Sequence, residues 1–285
     1  MELTFHNLKK NYGTVQALKG VSFTLSAGVH GLLGPNGAGK STMMNILSGN
    51  LRADSGEITY NGVSTEGLGD RFRSILGYMP QQQALYPEFT AVRFLSYMAS
   101  LRGMSKAVAN QAIPRVLEQV CLTEAANRKI KEFSGGMKQR LLIAQAIMHD
   151  PKVLVLDEPT AGLDPKQRIA IRNLISSVAA NKVVLISTHV VADIACIAKD
   201  LLIIKEGELL RHDTPAQLLS EMQGKVLEIT VPASDLEEYQ RKYRISNVSS
   251  DAEGFTVRIL SDAPIANAIP VRPNLEDVYL HYFEE

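Results

Sequence analysis

Between an apolar run, Val29 to Leu33, and an amphipathic stretch, Ser41 to Leu47, the chain reads Gly34-Pro35-Asn36-Gly37-Ala38-Gly39-Lys40-Ser41. These eight residues fit the phosphate-loop pattern G-x-x-x-x-G-K-[ST], which restricts the surrounding fold to a strand, a tight loop and a helix. Closely spaced glycines remove the β-carbons that would hold the backbone away from an anion. Successive N–H groups can then face the β- and γ-phosphates of a nucleotide, while Lys40 adds a point charge and Ser41 offers a hydroxyl to Mg²⁺. The helix beginning at Ser41 contributes its positive N-terminal end at the same spot.

The rest of the chain must hold that unit, and its 285 residues are enough for one large domain and a smaller one. Thirty basic residues balance thirty acidic ones, so composition gives no sign of a nucleic-acid or membrane-surface binder. No stretch approaches the apolar length that a membrane span needs, and Met1 to His6 lack the basic flank and apolar core of a signal peptide. Cys121 and Cys196, the only cysteines, stand far apart in apolar surroundings without metal-ligand spacing. Both are expected to be buried small apolar residues, in a chain that resides in the cytosol by default.

Three apolar runs have the character of parallel strands buried on both faces, each leading into polar residues. They are Val29 to Leu33, Val153 to Leu156 before Asp157, and Val183 to Ile186 before Ser187-Thr188-His189. Ligands of open α/β sheets bind beyond the carboxyl ends of such strands, so the three polar clusters are expected to meet at the phosphate loop. Asp164-Pro165 starts a helix, with Gln167 placed for a capping-box contact and Ile171, Leu174, Ile175 and Val178 forming a core-facing stripe. Residues 84–150 read as an inserted helical subdomain closed by Asp150-Pro151. Leu201 to Lys205 and Glu208 to His212 form a hairpin turning at Glu206-Gly207, and Thr214 to Gln217 opens a further capped helix. The first domain is expected to span 1–220. Residues 221–285 read as a separate small α+β domain, with strands at Lys225 to Val231, Ile245 to Val248 and Phe255 to Leu260, and helices at Ser234 to Tyr243 and Leu275 to Tyr282.

Two further segments carry chemistry. Val153 to Glu158 is an apolar strand ending in two carboxylates: Asp157 can bind Mg²⁺ directly or through water, and Glu158 can polarise a water aimed at a γ-phosphate. Phe133-Ser134-Gly135-Gly136-Met137-Lys138-Gln139-Arg140 opens a helix with Ser134 as N-cap and two glycines in its first turn. Glycine costs a helix roughly 1 kcal/mol relative to alanine. The return is bare backbone N–H groups at a positive helix end, a second phosphate-binding surface. One nucleotide rarely needs two such surfaces from one subunit, so a partner subunit's nucleotide is the expected target.

With these motifs in this order and spacing, the chain over about residues 1–220 resembles the nucleotide-binding subunit of an ATP-binding cassette (ABC) transporter. Gly34 to Thr42 match the Walker A motif, Val153 to Glu158 match Walker B, and Ser134 to Met137 match the family signature. The resemblance implies a P-loop NTPase core of α/β class, with an antiparallel β subdomain and a helical subdomain, extended here by the small C-terminal α+β domain. It implies an ATP hydrolase using Mg²⁺ that dimerises head to tail, each ATP lying between one Walker A loop and the opposing signature helix. The expected ATP-binding residues are then Gly34, Pro35, Asn36, Gly37, Ala38, Gly39, Lys40, Ser41 and Thr42, with Ser134, Gly135 and Gly136 acting in trans. Tyr12 in Asn11-Tyr12-Gly13 fits the aromatic that stacks on adenine. Gln81 fits the glutamine loop, with Gln82 and Gln83 as alternative registers, and joins Ser41 and Asp157 as a metal ligand. Glu158, His189 and Gln81 are the expected catalytic set, and Ala161 to Asp164 fit the D-loop at the dimer interface.

The signature commonly reads Leu-Ser-Gly-Gly-Gln, whereas this chain has Phe133 and Met137 at the outer positions. The phosphate-touching serine and glycines remain, so only the glutamine's extra polar contact is lost. Every motif is intact, and one chain could supply both halves of a homodimer. Tyr86, Phe89, Phe94 and Tyr97 follow the glutamine loop, where family members receive the membrane subunit, although core packing accounts for them equally. Met43 and Met44 are expected in the core, and Lys9, Lys10, Lys129 and Lys131 as solvated charges. The tail Pro273 to Leu280 resembles that of stand-alone ATPases powering multidrug, lantibiotic or polysaccharide-type exporters. The expectation is thus an ATPase that drives a separate multi-span permease for export, held at the cytoplasmic face of the cell membrane through that permease, with no nucleic-acid partner. An importer ATPase and a soluble ABC ATPase acting on ribosomes or DNA are the competing classes. The interval between Lys40 and Asp157 is too short for the long coiled coil of DNA-repair relatives.

Overall fold

A computed structural model describes residues 1–81, 85–251 and 254–283 of the chain. Gln82, Gln83 and Ala84, the alternative glutamine-loop registers and the expected start of the helical segment, lie outside the described residues. The chain divides into two compact units, Met1–His212 and Asp213–Glu285. The capped helix that the sequence reading placed at the end of the first domain therefore opens the second unit.

The first unit begins with β1 (Glu2–Tyr12), β2 (Val15–Ser26) and β3 (Gly28–Leu33), then α1 (Lys40–Leu47), β4 (Ser55–Tyr60) and the short β5 (Val63–Ser64). Two short helices follow, α2 (Thr65–Leu68) and α3 (Asp70–Ile75), and then β6 (Leu76–Met79). The helical region contains α4 (Ala91–Leu101), α5 (Lys106–Gln119) and α6 (Gly135–Ile147). After it come β7 (Val153–Asp157), α7 (Pro165–Val178), β8 (Val183–Thr188), the single turn α8 (Val191–Ile194), β9 (Asp200–Lys205) and β10 (Glu208–Asp213).

Strands β2-β1-β4-β5 form an antiparallel sheet, and β10-β9-β3-β8-β7-β6 form a second, six-stranded one. Within the latter, β3 pairs in parallel with β8 and β9, and β7 with β6 and β8. Val153–Leu156 and Val183–Ile186 are buried along their whole length, as strands covered on both faces must be. In the antiparallel sheet, Leu3, Phe5, Val21, Phe23 and Leu25 alternate inward, and Phe5 stacks on its cross-strand partner Phe23 with ring centroids 4.2 Å apart. One core cluster joins this face to Met43, Met44 and Leu47 of α1 and to Leu32, Val155 and Leu185 of the parallel sheet. Burying each such side chain contributes about 1.5–3 kcal/mol, so α1, and with it the phosphate loop, is held from both sides. The four-residue β6 was not read from the sequence, because a short apolar run containing a glycine has no period to identify it.

The helical region keeps Phe94 in its core, fully buried, and leaves Tyr86 and Tyr97 at the surface, 43 and 39 % exposed. Phe89 stacks on Tyr86 and meets Tyr97 edge-on, and the Arg93 guanidinium covers the Phe89 ring at 4.2 Å. Lys129 and Lys131 both bond Glu88 at 2.9 Å, holding its carboxyl down to about 2. The two cysteines depart from expectation, since both are exposed. Cys121 follows the C-cap of α5 with φ of 53°, and Leu122 donates back to the carbonyl of Leu117. A residue in that left-handed C-terminal position turns the chain outward and takes its side chain with it.

The second unit contains α9 (Pro215–Glu221), β11 (Val226–Val231), α10 (Leu236–Lys242), β12 (Arg244–Asp251), β13 (Gly254–Leu260), β14 (Ile269–Pro270) and α11 (Leu275–Phe283). Its sheet runs β12-β13-β11-β14 over a small core of Ile229, Val231, Val257 and Ile259. Arg258 donates to Asp277, a fully buried carboxylate at the start of α11, and to Glu228 at 2.8 Å. The backbone N–H of Asn274 also bonds Asp277.

Candidate active site

The phosphate loop leaves the carboxyl end of β3, whose neighbours β8 and β9 end beside it. Gly39 adopts φ of +104°, and a β-carbon there would lie 2.5 Å from the carbonyl oxygen of Ala17, so only glycine fits. Gly39 also precedes α1 and has no side chain to cap it. The first N–H groups of α1 are therefore available to an anion, together with the positive end of the helix. Lys40 is 7 % exposed and arches back over the loop, its Nζ donating to the carbonyls of Gly34 at 2.6 Å and Pro35 at 2.9 Å. Burial lowers the pKa of this ammonium, opposed by the nearby charges of Glu158 and Asp157.

Asn36 to Thr42, Ala17, Gln81, Asp157 and Glu158 line one open cleft. The structure thus gathers the loop, both carboxylates and the glutamine, from the ends of β3, β7 and β6. Asp157 is 4 % exposed, and its Oδ1 accepts the hydroxyl of Ser187. Glu158 is 6 % exposed and has φ of 51°, a left-handed conformation that costs a non-glycine residue of order 1–3 kcal/mol. Its N–H donates to the Ser187 carbonyl at 3.1 Å and to the Ser187 hydroxyl at 3.2 Å. The Nδ1 of His189 donates to Glu158 Oε1 at 2.9 Å, which leaves Nε2 for another partner. Among the described residues, Glu158 Oε2 is buried without a hydrogen-bond partner. A buried carboxylate oxygen left so pays a desolvation cost, and a bound water or cation would relieve it.

The remaining sequence-derived residues fall into two groups. Tyr12 ends β1 with 51 % of its surface exposed, opposite Val15 and therefore close in sequence to Ala17 on the cleft wall. Tyr12 itself does not line the cleft, and the Lys10 ammonium lies 6.0 Å from its ring centroid. Ser134, Gly135 and Gly136 are absent from the residues lining the cleft. The Ser134 hydroxyl caps α6 by accepting from the Met137 N–H at 3.3 Å. Gly136 has a steric reason that the sequence did not disclose, since a β-carbon there would sit 2.2 Å from Oε1 of Gln167. The expected capping box at α7 is correspondingly half formed: Asp164 accepts from the Gln167 N–H at 2.9 Å, while the Gln167 side chain turns to Gly136.

Ser187 was expected here only as part of a polar cluster, and three further residues of this neighbourhood, Gln145, Tyr78 and Asn45, carried no role in the sequence analysis. Gln145 of α6, 2 % exposed, donates to the Tyr78 carbonyl at 2.9 Å, and the Tyr78 hydroxyl reaches Asn45 of α1 at 3.4 Å. Burial and the Asp157 charge push the Tyr78 phenol up to about 12.

A parallel sheet with a nucleotide-type phosphate loop, paired acids and a histidine bonded to one of them at its carboxyl edge defines a P-loop ATPase of the cassette class. The ABC transporter family model matches residues 18–161, and the chain belongs to that family. Its relatives include the linearmycin resistance ATP-binding protein LnrL of Bacillus subtilis (strain 168), 38 % identical over 232 residues and covering 80 % of this chain and 75 % of the relative. The Nod factor export ATP-binding protein I of Burkholderia orbicola (strain AU 1054) is 36 % identical over 291 residues, covering 98 % of this chain and 95 % of the relative. Among solved structures, the dimeric bacterial ABC transporter cassette MJ0796 superposes with a TM-score of 0.67 at 28 % identity, over 74 % of this chain and 98 % of that one. The chain is accordingly the ATP-binding and ATP-hydrolysing subunit of an ABC transporter. Such cassettes act as dimers with membrane permeases.

Proposed function

We propose that this subunit powers export through a separate permease, hydrolysing ATP at two composite sites formed by a head-to-tail pair of copies. The convergence of the phosphate loop, Gln81, Asp157 and Glu158 on one cleft, with Ser134 to Gly136 outside it, is the observation that carries this reading. Within a subunit the site is complete on one side only, and a signature helix from another copy supplies the rest. Export is favoured by the relatives that serve linearmycin resistance and Nod factor export, the second of which aligns over nearly the whole chain including the second unit.

In this reading Lys40 and the N–H groups of the loop bind the phosphates, and Tyr12 stacks on the base. His189 orients the Glu158 carboxylate, which takes a proton from the water attacking the terminal phosphate. The donor set fits Mg²⁺, with a hydroxyl, a carboxylate and an amide on one cleft wall, and no larger protein cage, since among the described residues no three His, Cys, Asp or Glu side chains gather as a metal site. Ser41, Asp157 and Gln81 would hold the ion, which when bound neutralises charge on the transferring phosphoryl group.

No described helix is long and apolar enough to cross a membrane. The exposed rings of Tyr86 and Tyr97, packed on half-buried Phe89, form the surface we assign to the permease, which would hold the subunit at the cytoplasmic face. Affinity purification of the tagged chain from detergent-solubilised membranes is expected to recover a polytopic protein without a cassette, and Tyr86→Ala with Tyr97→Ala to reduce its yield. Recovery of ribosomal particles or DNA in its place would favour the soluble ATPase class. Glu158→Gln is expected to bind ATP, to lose turnover by roughly 10²–10⁴-fold and to accumulate as a closed dimer. Undiminished hydrolysis would remove Glu158 from its role.

A further inference from the structure

We propose that Ser187 is the residue that positions the carboxylate pair, one hydroxyl holding both acids at once; this rests on the reading of Asp157 and Glu158 as the site's acids. Ser187 is fully buried on β8 and lies directly beside Asp157 in the parallel ladder. Its Oγ donates its single proton to Asp157 Oδ1 and accepts the backbone N–H of Glu158 at 3.2 Å. A hydroxyl is the smallest side-chain group that donates and accepts on one atom, so alanine or valine could fill the volume without making either bond.

The two bonds do different things. Donation fixes one Asp157 oxygen, so that the carboxylate meets the cleft in a single rotamer with its other oxygen available. Acceptance from the Glu158 N–H, with the Ser187 carbonyl sharing that N–H at 3.1 Å, pins the peptide at the point where Glu158 enters its left-handed conformation. That conformation presents the Glu158 carboxylate to His189, which is two residues beyond Ser187 on the same chain segment. Strand β8 and the residue directly after it thus carry both the serine that orients the Glu158 backbone and its neighbour Asp157 and the histidine that orients the Glu158 carboxylate. Partners of this outer-shell kind are as decisive as the ligands they hold.

The test uses the full chain, with Ser187→Ala and Ser187→Thr. Ser187→Ala is expected to lower kcat on the order of 10- to 100-fold. Its KM for ATP should stay within about threefold of the wild type, because the loop contacts that bind phosphate are untouched. A second readout is ADP affinity with and without Mg²⁺, by calorimetry: Ser187→Ala should lose most of the Mg²⁺-dependent gain and keep its affinity in EDTA. Ser187→Thr retains the hydroxyl and should restore both. In an Asp157→Asn background, Ser187→Ala should cost no further Mg²⁺-dependent affinity. Wild-type kcat and Mg²⁺ gain in a Ser187→Ala variant would overturn the proposal, as would a folded Thr variant no better than Ala, or an additional loss in the Asp157→Asn background. If Asp157→Asn itself leaves the Mg²⁺ gain intact, the reading of Asp157 fails. If Asp157→Asn abolishes the gain and Ser187→Ala does not alter it, the role of Ser187 alone is refuted.

Discussion

The side-chain amide of Gln167, on α7, fills the space that a β-carbon on Gly136 of α6 would occupy, at a separation of 2.2 Å. The signature helix and the helix that follows the D-loop are therefore locked together inside one subunit. Leu163 lies 3.6 Å from the corresponding point on Gly135 and extends the same contact. The first turn of α6, with exposed Ser134 as its N-cap, is set by these contacts within the subunit.

This packing makes Gly136→Ala a test of why the glycine is there. Overpacking should destabilise the chain by about 1–3 kcal/mol, read as a lower Tm, and slow ATP hydrolysis. Adding Gln167→Ala frees the space, and the double variant should regain most of both. A double variant as slow as Gly136→Ala, with its Tm restored, would mean that the partner's nucleotide needs the bare backbone.

Ser134 can be separated from its capping role. Ser134→Asp retains a good N-cap, so the Tm should stay within about 1 kcal/mol equivalent of the wild type. The added negative charge faces the phosphate surface assigned to a partner's nucleotide. Hydrolysis and ATP-dependent dimerisation, followed by light scattering, should be lost while single-subunit ATP binding persists. Loss of ATP binding to the monomer would contradict the composite-site arrangement.

His149 supplies a pH signature in the first unit. Burial, with the Arg102 charge adding to it, pushes its ring from the ordinary 6.5 down to about 4. The unfolded chain takes up a proton that the folded chain refuses, so stability present above pH 6.5 drains away as the pH falls towards about 4. The loss is at most about 3.5 kcal/mol for this one group. Thermal unfolding of the wild type and His149→Gln at several pH values should show the wild-type advantage shrinking over that interval. A difference that stays constant with pH would assign the proton uptake to other groups.

The second unit has its own weak point at Arg258 and Asp277. Burial raises the Asp277 pKa, but the bonds from Arg258 and the Asn274 N–H outweigh it and bring the carboxyl below its ordinary value. Removing the cation strands a buried charge, so Arg258→Met should destabilise this unit by roughly 3–5 kcal/mol. Differential scanning calorimetry should show a lower-temperature transition for this unit. An unchanged thermogram would show the ion network to be dispensable.

What could be read from the sequence followed from how strongly local chemistry restricts a segment. Gly39 and Lys40 sit where a close backbone approach and a helix start admit few alternatives, and the apolar strands before Asp157 and His189 are long enough to declare themselves. Ser187 was placed at the site with its polar cluster, but its contact stayed hidden, because a serine in a strand has no pattern until the register with β7 puts it beside Asp157. Gln167 followed a local capping rule until a tertiary contact with Gly136 claimed its side chain. The cysteines were misjudged for a related reason: apolar neighbours predict burial, but the left-handed end of α5 turns Cys121 to solvent. The antiparallel sheet came from family resemblance, since the bulges between β1 and β2 interrupt the alternation that would have identified it.

Exposure of Cys121 and Cys196 has a practical side. One thiol follows the C-cap of α5 and the other follows α8 beyond His189, and the chain contains no tryptophan. Maleimide dyes at these two positions would turn the subunit into a fluorescence ruler, and a tryptophan installed at Tyr12 would give an emission signal with no intrinsic background of its own.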